Sequence, residues 1–114
     1  ASPKAPFLRY KNAILGNSYE LTLTFIGTKR MRTLNNTWRK KDYATDILSF
    51  PLDKKSGEIY ICEKAANKKA KDFDRTSQNY LKFLVIHGLI HLKGYDHGSR
   101  MDREELKWQK LFKI

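Results

Sequence analysis

All three histidines of the chain fall between residues 87 and 97, in the stretch IHGLIHLKGYDH. His87 and His91 are four residues apart, so on a helix they stand one turn apart on the same face. His97 follows, with Gly94 between. Glycine lets a chain leave a helix through a left-handed conformation that other residues resist. The spacing therefore predicts two imidazoles presented by a helix and a third folded back to them by a glycine turn. Three neutral imidazoles suit zinc or another borderline divalent ion. Three protein ligands also leave one position open for water, the arrangement of catalytic rather than structural zinc. The residue after His87, where an HExxH metalloprotease carries its glutamate base, is Gly88. Peptide hydrolysis is thereby the least expected chemistry. Hydrolysis as such survives, because water on zinc ionises near neutral pH, with a pKa of about 7. Asp96 is the nearest carboxylate in sequence. It is open to three roles: general base, orienting partner of a histidine, or plain turn residue.

A pair of polar rings needs an element to hold it. From Ser77 to about Lys93 the apolar residues Tyr80, Leu81, Phe83, Leu84, Val85, Ile86, Leu89, Ile90 and Leu92 cover nearly the whole circumference. That pattern predicts a central, buried helix. SRMDREELKWQKLFKI predicts a last amphipathic helix with Met101, Leu106, Trp108, Leu111 and Phe112 available for packing. Upstream, residues 4–16 read as a short amphipathic helix stopped at Gly16 and Asn17. YELTLTFIG alternates as a half-buried strand does. In TKRMRTLNNTWRK, Met31, Leu34 and Trp38 lie at helical spacing, with Thr28 as N-cap. TDILSFP reads as a strand closed by Pro51, DKKSG as a turn, GEIYIC as a third strand and EKAANKKAKDF as an exposed helix. At 114 residues the chain predicts a single domain, 1–114, of the α+β class: a small sheet with helices packed against it.

The net charge is +11, which points to a polyanionic partner such as RNA, DNA or an anionic membrane. No apolar run approaches a membrane span, and nothing reads as a secretory signal. The single cysteine, Cys62, cannot form an internal disulfide, which fits a reducing compartment; it is expected to pack as a small hydrophobe rather than as a fourth ligand.

The motif HGLIHLKGYDH resembles the signature HGxLHLxGYDH of the YbeY family of bacterial endoribonucleases and rRNA maturation factors, departing only at Ile90. The resemblance extends upstream. The family's NxxYRxKDxPTDVLSFP appears here as NNTWRKKDYATDILSFP, with Trp38 for the tyrosine and Ala44 for the proline, and GEIYIC carries Glu58 for an aspartate. It covers about Tyr19 to His97. After His97 only GSR precedes Met101, where relatives often carry a longer acidic segment.

The resemblance implies a small mixed β-sheet with surrounding helices and a metal site on the central helix, a zincin-like fold. It implies a zinc-dependent, single-strand-specific endoribonuclease of small-subunit rRNA maturation and ribosome quality control, in the cytoplasm, with ribosomal proteins as plausible partners. His87, His91 and His97 would hold the zinc. Arg39, matching the arginine of the family's YRxKD segment, would be catalytic, its planar fork pairing with phosphate oxygens. Lys40 and Lys41 would track the RNA backbone electrostatically. For Trp38 the helical spacing favours a core role, with base stacking the alternative. Thr45 and Ser49 are candidates to face the cleft. The competing reading is a non-catalytic RNA-binding assembly factor whose metal only holds the fold.

Overall fold

The computed structural model describes residues 6–114. The element order is α1 (Phe7–Leu15), β1 (Glu20–Phe25), α2 (Thr28–Arg39), β2 (Ile47–Asp53), β3 (Ser56–Ile61), α3 (Glu63–Asp72), α4 (Ser77–Leu92) and α5 (Ser99–Phe112). The first helix matches the expected one; its expected start at residues 4 and 5 lies outside the described residues.

The sheet has the order β1-β3-β2, with β1 parallel and β2 antiparallel to β3. It is therefore mixed. β2 and β3 form a hairpin around the two turn residues Lys54 and Lys55. β2 is an edge strand and runs through Pro51 to Asp53, with a register shift between Pro51 and Asp53. The expectation that Pro51 closes the strand is corrected: on an edge, a residue without an amide donor costs no ladder bond when that position faces outward.

Side-chain alternation splits the sheet into two faces. Leu21, Leu23, Ile59 and Ile61 meet Val85, Ile86, Leu89 and Ile90 of α4, and Tyr10, Ile14, Met101 and Trp108 complete this core from α1 and α5. On the other face Leu48 packs with Met31 of α2 and with Cys62, which is fully buried as a small hydrophobe. α3 lays Ala66 and Ala70 against Tyr80 and Leu84 of α4. Helix α4 is thus enclosed by neighbours, as its nearly continuous apolar surface requires. Its N-cap is Thr76, whose hydroxyl accepts from Asn79 N at 3.1 Å.

Three other expectations are corrected. Thr28 is the first residue of α2, and Gly27 stands at the N-cap without a side-chain bond. Leu106 and Leu111 are exposed, because α5 packs through Met101 and Trp108 instead. Trp38 is 65% exposed, not core: it sits in the last turn of α2, beside Phe50 of the edge strand at 6.2 Å rather than beneath the sheet.

Candidate active site

The last two turns of α4 present His87 and His91 on one face. Gly94 has φ of +111°, and no atom would obstruct a Cβ there, so backbone conformation alone demands glycine. The turn it makes brings His97 back, with ring centroids 5.6 Å from His87 and 4.9 Å from His91. One ligand atom from each of the three histidines lies within 4.8 Å of the others.

The outer ring nitrogens fix what the inner ones can do. His87 Nδ1 lies against the carboxylate of Glu105, on α5, and His91 Nδ1 is 3.1 Å from the carbonyl oxygen of Tyr95. Each faces an acceptor, so each carries its ring's proton and donates, leaving both Nε2 atoms as bare acceptors. Those two atoms are 3.2 Å apart. Two lone pairs at that separation repel unless a cation lies between them. Two tetrahedral ligands of zinc, with Zn–N of about 2.0–2.1 Å, stand roughly 3.3 Å apart. The donor set therefore fits a divalent ion. Burial, and next the neighbouring His87, hold the pKa of His91 below its ordinary value, which keeps it in the neutral form that ligates.

The histidines open on a cleft of about 580 Å³ along the free edge of β2. Its other wall is the C-terminal end of α2 and the loop after it: Asn35, Arg39, Lys41 and Tyr43 line it, as do Thr45, Ser49 and Asp96. Arg39, 48 residues from His87 in sequence, thus shares a cavity with the three histidines. Its Nη2 donates to Ser49 O at 3.4 Å, and its guanidinium lies 5.9 Å from the Phe50 ring centre. Lys41 lines the cleft; Lys40 does not, and instead takes a left-handed conformation (φ 56°) that ends α2.

Strand register explains why Ser49 O is available. Asp46 O accepts from Cys62 N at 2.9 Å, so the even-numbered residues of this strand turn their backbone groups toward β3. Ile47, Ser49 and Pro51 turn theirs outward. Arg39 covers one outward carbonyl, and Pro51 has no amide to offer.

Gly88 has a second meaning here. A Cβ on it would come within 2.9 Å of Ile59 Cδ1, 3.0 Å of Ile47 Cδ1 and 3.0 Å of Ser49 Oγ. Position 88 faces the sheet, so glycine is what lets α4 lie close enough to β2 for histidines and strand to share one cleft.

Sequence reasoning missed Glu105. The carboxylate that reaches a histidine is this one, not Asp96. It also missed the buried Asp46, which accepts from Tyr80 Oη at 2.9 Å. Burial first, and the Asp46 charge next, push the Tyr80 hydroxyl well above its usual pKa. The phenol therefore stays a donor, and it fixes the first residues of the cleft wall.

A small mixed sheet, a central helix bearing a histidine pair and a third histidine returned by a turn define a zincin-like α+β fold with a metal-binding type of cleft. Comparison with known proteins narrows this. The chain belongs to the Endoribonuclease YbeY family, whose profile matches residues 7–111. Relatives of that name include those of Alkaliphilus metalliredigens (37% identical, covering 78% of this chain and 64% of the relative), Finegoldia magna (39%, 76% and 61%) and Aquifex aeolicus (35%, 83% and 67%). The chain thus spans somewhat less than two thirds of the first two, 64% and 61%. A Thermotoga maritima protein solved in solution superposes with a TM-score of 0.66 at 28% identity, over 93% of this chain and 79% of its own. Among the described residues no helix is long and apolar enough to cross a membrane.

Proposed function

We propose that the protein is a zinc-dependent, single-strand-specific endoribonuclease that acts in small-subunit rRNA maturation and ribosome quality control. It works in the cytoplasm as one domain, 1–114, beside ribosomal proteins. The observation that carries this reading is the meeting of Arg39 with the paired Nε2 lone pairs of His87 and His91 on one cleft.

His87, His91 and His97 hold the ion. When bound, it supplies Lewis acidity toward a phosphoryl oxygen and lowers the pKa of water. Glu105 and the Tyr95 carbonyl keep the His87 and His91 rings in the ligating tautomer. Arg39 pairs with the phosphate oxygens, where charge grows as the phosphodiester is cleaved. Lys41 adds charge within the cleft, and Lys40, outside it, adds to the field that attracts the strand. Thr45 and Ser49 offer hydroxyl donors along the wall.

A peptide substrate fits poorly. No carboxylate can stand at position 88 to serve as base. The β2 edge, which would pair with an extended peptide, is blunted by Arg39 and Pro51.

The test is metal content together with cleavage of a defined single-stranded RNA and its duplex, in a preparation free of other nucleases. The expected result is one zinc per chain and cutting of the single strand only. Arg39→Ala should abolish cutting while zinc stays bound, and His91→Ala should lose both. Cleavage that survives His91→Ala would overturn the reading. So would tight, salt-sensitive RNA binding without turnover by the zinc-loaded protein, the behaviour of a non-catalytic assembly factor.

A further inference from the structure

The proposed nuclease reading leaves open what makes the cleft prefer a single strand, and the rim beside it holds a feature that the chemistry does not use. Trp38 is 65% exposed, although tryptophan carries more apolar area than any other side chain. Its aromatic neighbour among the described residues is Phe50, in a T-shaped pair at 6.2 Å, and most of the indole surface is open to solvent. Phe50 in turn meets Tyr60 edge-on at 6.0 Å, which steadies it from behind. The core under α2 is built from Met31, Leu48 and Cys62, with Leu34 and Phe50 packed against them, and the indole is not part of it.

Arg39 joins this rim to the cleft. Its guanidinium lies over Phe50 and also donates to Ser49 O at the cleft wall. A phosphate paired with Arg39 therefore has the neighbouring nucleotide within reach of Trp38. Tyr43, 54% exposed, lines the cleft on the same side. The chain's net charge of +11 favours a polyanion at such a rim over a protein or an apolar ligand.

Resting on the nuclease reading, we infer that Trp38, supported by Phe50, is a stacking site for an unpaired nucleobase next to the phosphate held by Arg39. Every base has a π-face, so such a site selects no sequence. It does select strandedness, because a base inside a duplex is already stacked on both faces. The rim thus contributes single-strand preference, and the cleft contributes chemistry.

The chain has two tryptophans, which makes the inference directly measurable. Trp108 is 8% exposed and stacked on Phe112, so it does not report on a ligand at the rim. The probe is a short 2′-O-methyl oligoribonucleotide, which cannot be cut by attack of its own 2′-hydroxyl. Binding is followed by anisotropy of a labelled strand and, in parallel, by tryptophan emission. Wild type should bind with quenching. Trp108→Phe should keep the quenching and Trp38→Phe should lose it while binding persists. Trp38→Ala should bind roughly 5- to 150-fold more weakly, the range for loss of one stacked base. Its melting temperature should be unchanged, because the side chain is exposed. An abasic strand should bind wild type and Trp38→Ala equally.

Wild-type binding without quenching would overturn the inference and leave the nuclease reading standing. So would equal affinity of wild type and Trp38→Ala for the intact strand. No binding by wild type in the anisotropy measurement would overturn both.

Discussion

Gly88→Ala sets two effects of known sign against each other. Alanine in the middle of a helix is favoured over glycine by about 1 kcal/mol. In open space the substitution would therefore stabilise α4. Here the added methyl would stand 2.9–3.0 Å from Ile59 Cδ1, Ile47 Cδ1 and Ser49 Oγ. Ser49 can rotate its hydroxyl away. Ile59 is fully buried and has no free volume to move into. Overpacking of this kind costs typically 1–3 kcal/mol, and with one rigid and two softer neighbours about 2 is a fair value. The net effect is a loss of about 1 kcal/mol. For a chain of 114 residues the unfolding entropy near the midpoint is about 0.24 kcal/mol/K. The melting temperature should then fall by about 4 °C, measurable by calorimetry or by circular dichroism. A rise in melting temperature would show that helix propensity wins and would refute overpacking at position 88. Gly88→Glu, which restores the letters of a protease motif, should lose the fold rather than gain peptidase activity. Its carboxylate would enter the same apolar contact without a partner.

Four further outcomes follow from other contacts. Glu105→Gln should weaken zinc affinity about 10- to 100-fold in a chelator competition, because it removes the carboxylate that orients His87; unchanged affinity would deny Glu105 that role. Tyr80→Phe should cost about 1–3 kcal/mol in urea denaturation by stripping a buried carboxylate, Asp46, of its 2.9 Å donor, and a loss of a few tenths would refute this. The metal-free protein should lose stability as pH falls below the ordinary histidine value of 6.5: His91's pKa is lowered in the fold, so the unfolded chain binds more protons there, and stability rises with pH across that window. His91→Gln should flatten that part of the profile, and an identical slope would remove His91 from it. Finally, stripping the metal should weaken binding of the 2′-O-methyl strand while leaving most of its salt dependence; equal affinity with and without metal would mean that the ion makes no contact with the strand.

What could be read from the sequence was what sits close together in it. His87, His91 and Gly94 belong to one helix and its turn, so spacing alone fixes their geometry, and the left-handed φ at Gly94 follows from residue type. Glu105 was harder, since it reaches His87 only through the packing of α5 on α4. A signal was nonetheless present. Met101, Glu105, Trp108 and Phe112 recur at helical spacing, so a carboxylate stands in the apolar stripe of α5 and needs a partner. Asn35 is the same kind of signal in α2: it is 2% exposed, and its side-chain amide donates to Tyr43 O at 2.9 Å, holding the loop that carries Lys41. The expected burial of Trp38 failed for a different reason. Helical phase places it correctly on the Met31 side, but phase says nothing about where a three-stranded sheet ends. Arg39 was reachable only through the family segment, because nothing in its local sequence says that the end of α2 faces α4 across the strand edge.

The charges that line the cleft nearly cancel: Arg39 and Lys41 stand against Asp46 and Asp96. The overall +11 lies elsewhere, spread over the surface. Attraction of a polyanion and its retention at the histidines are therefore separate matters. The surface field acts at long range and is screened by salt, so it sets encounter and gives little selectivity. Retention depends on which carboxylates remain free near the cleft. Asp46 is buried and spent on Tyr80, with Lys69 at 3.7 Å, while Glu105 is turned to the outer nitrogen of His87. Neither is engaged with the Nε2 atoms: Asp46 accepts from Tyr80 Oη, and Glu105 meets His87 at Nδ1. Of the two carboxylates that line the cleft, Asp46 is thus occupied, and the exposed Asp96 is left beside Arg39, Lys41 and the hydroxyls of Thr45 and Ser49. With two cations and two hydroxyls against one uncommitted carboxylate, the cleft suits a substrate bearing negative charge at the reacting centre, and a neutral peptide carbonyl would gain little from it.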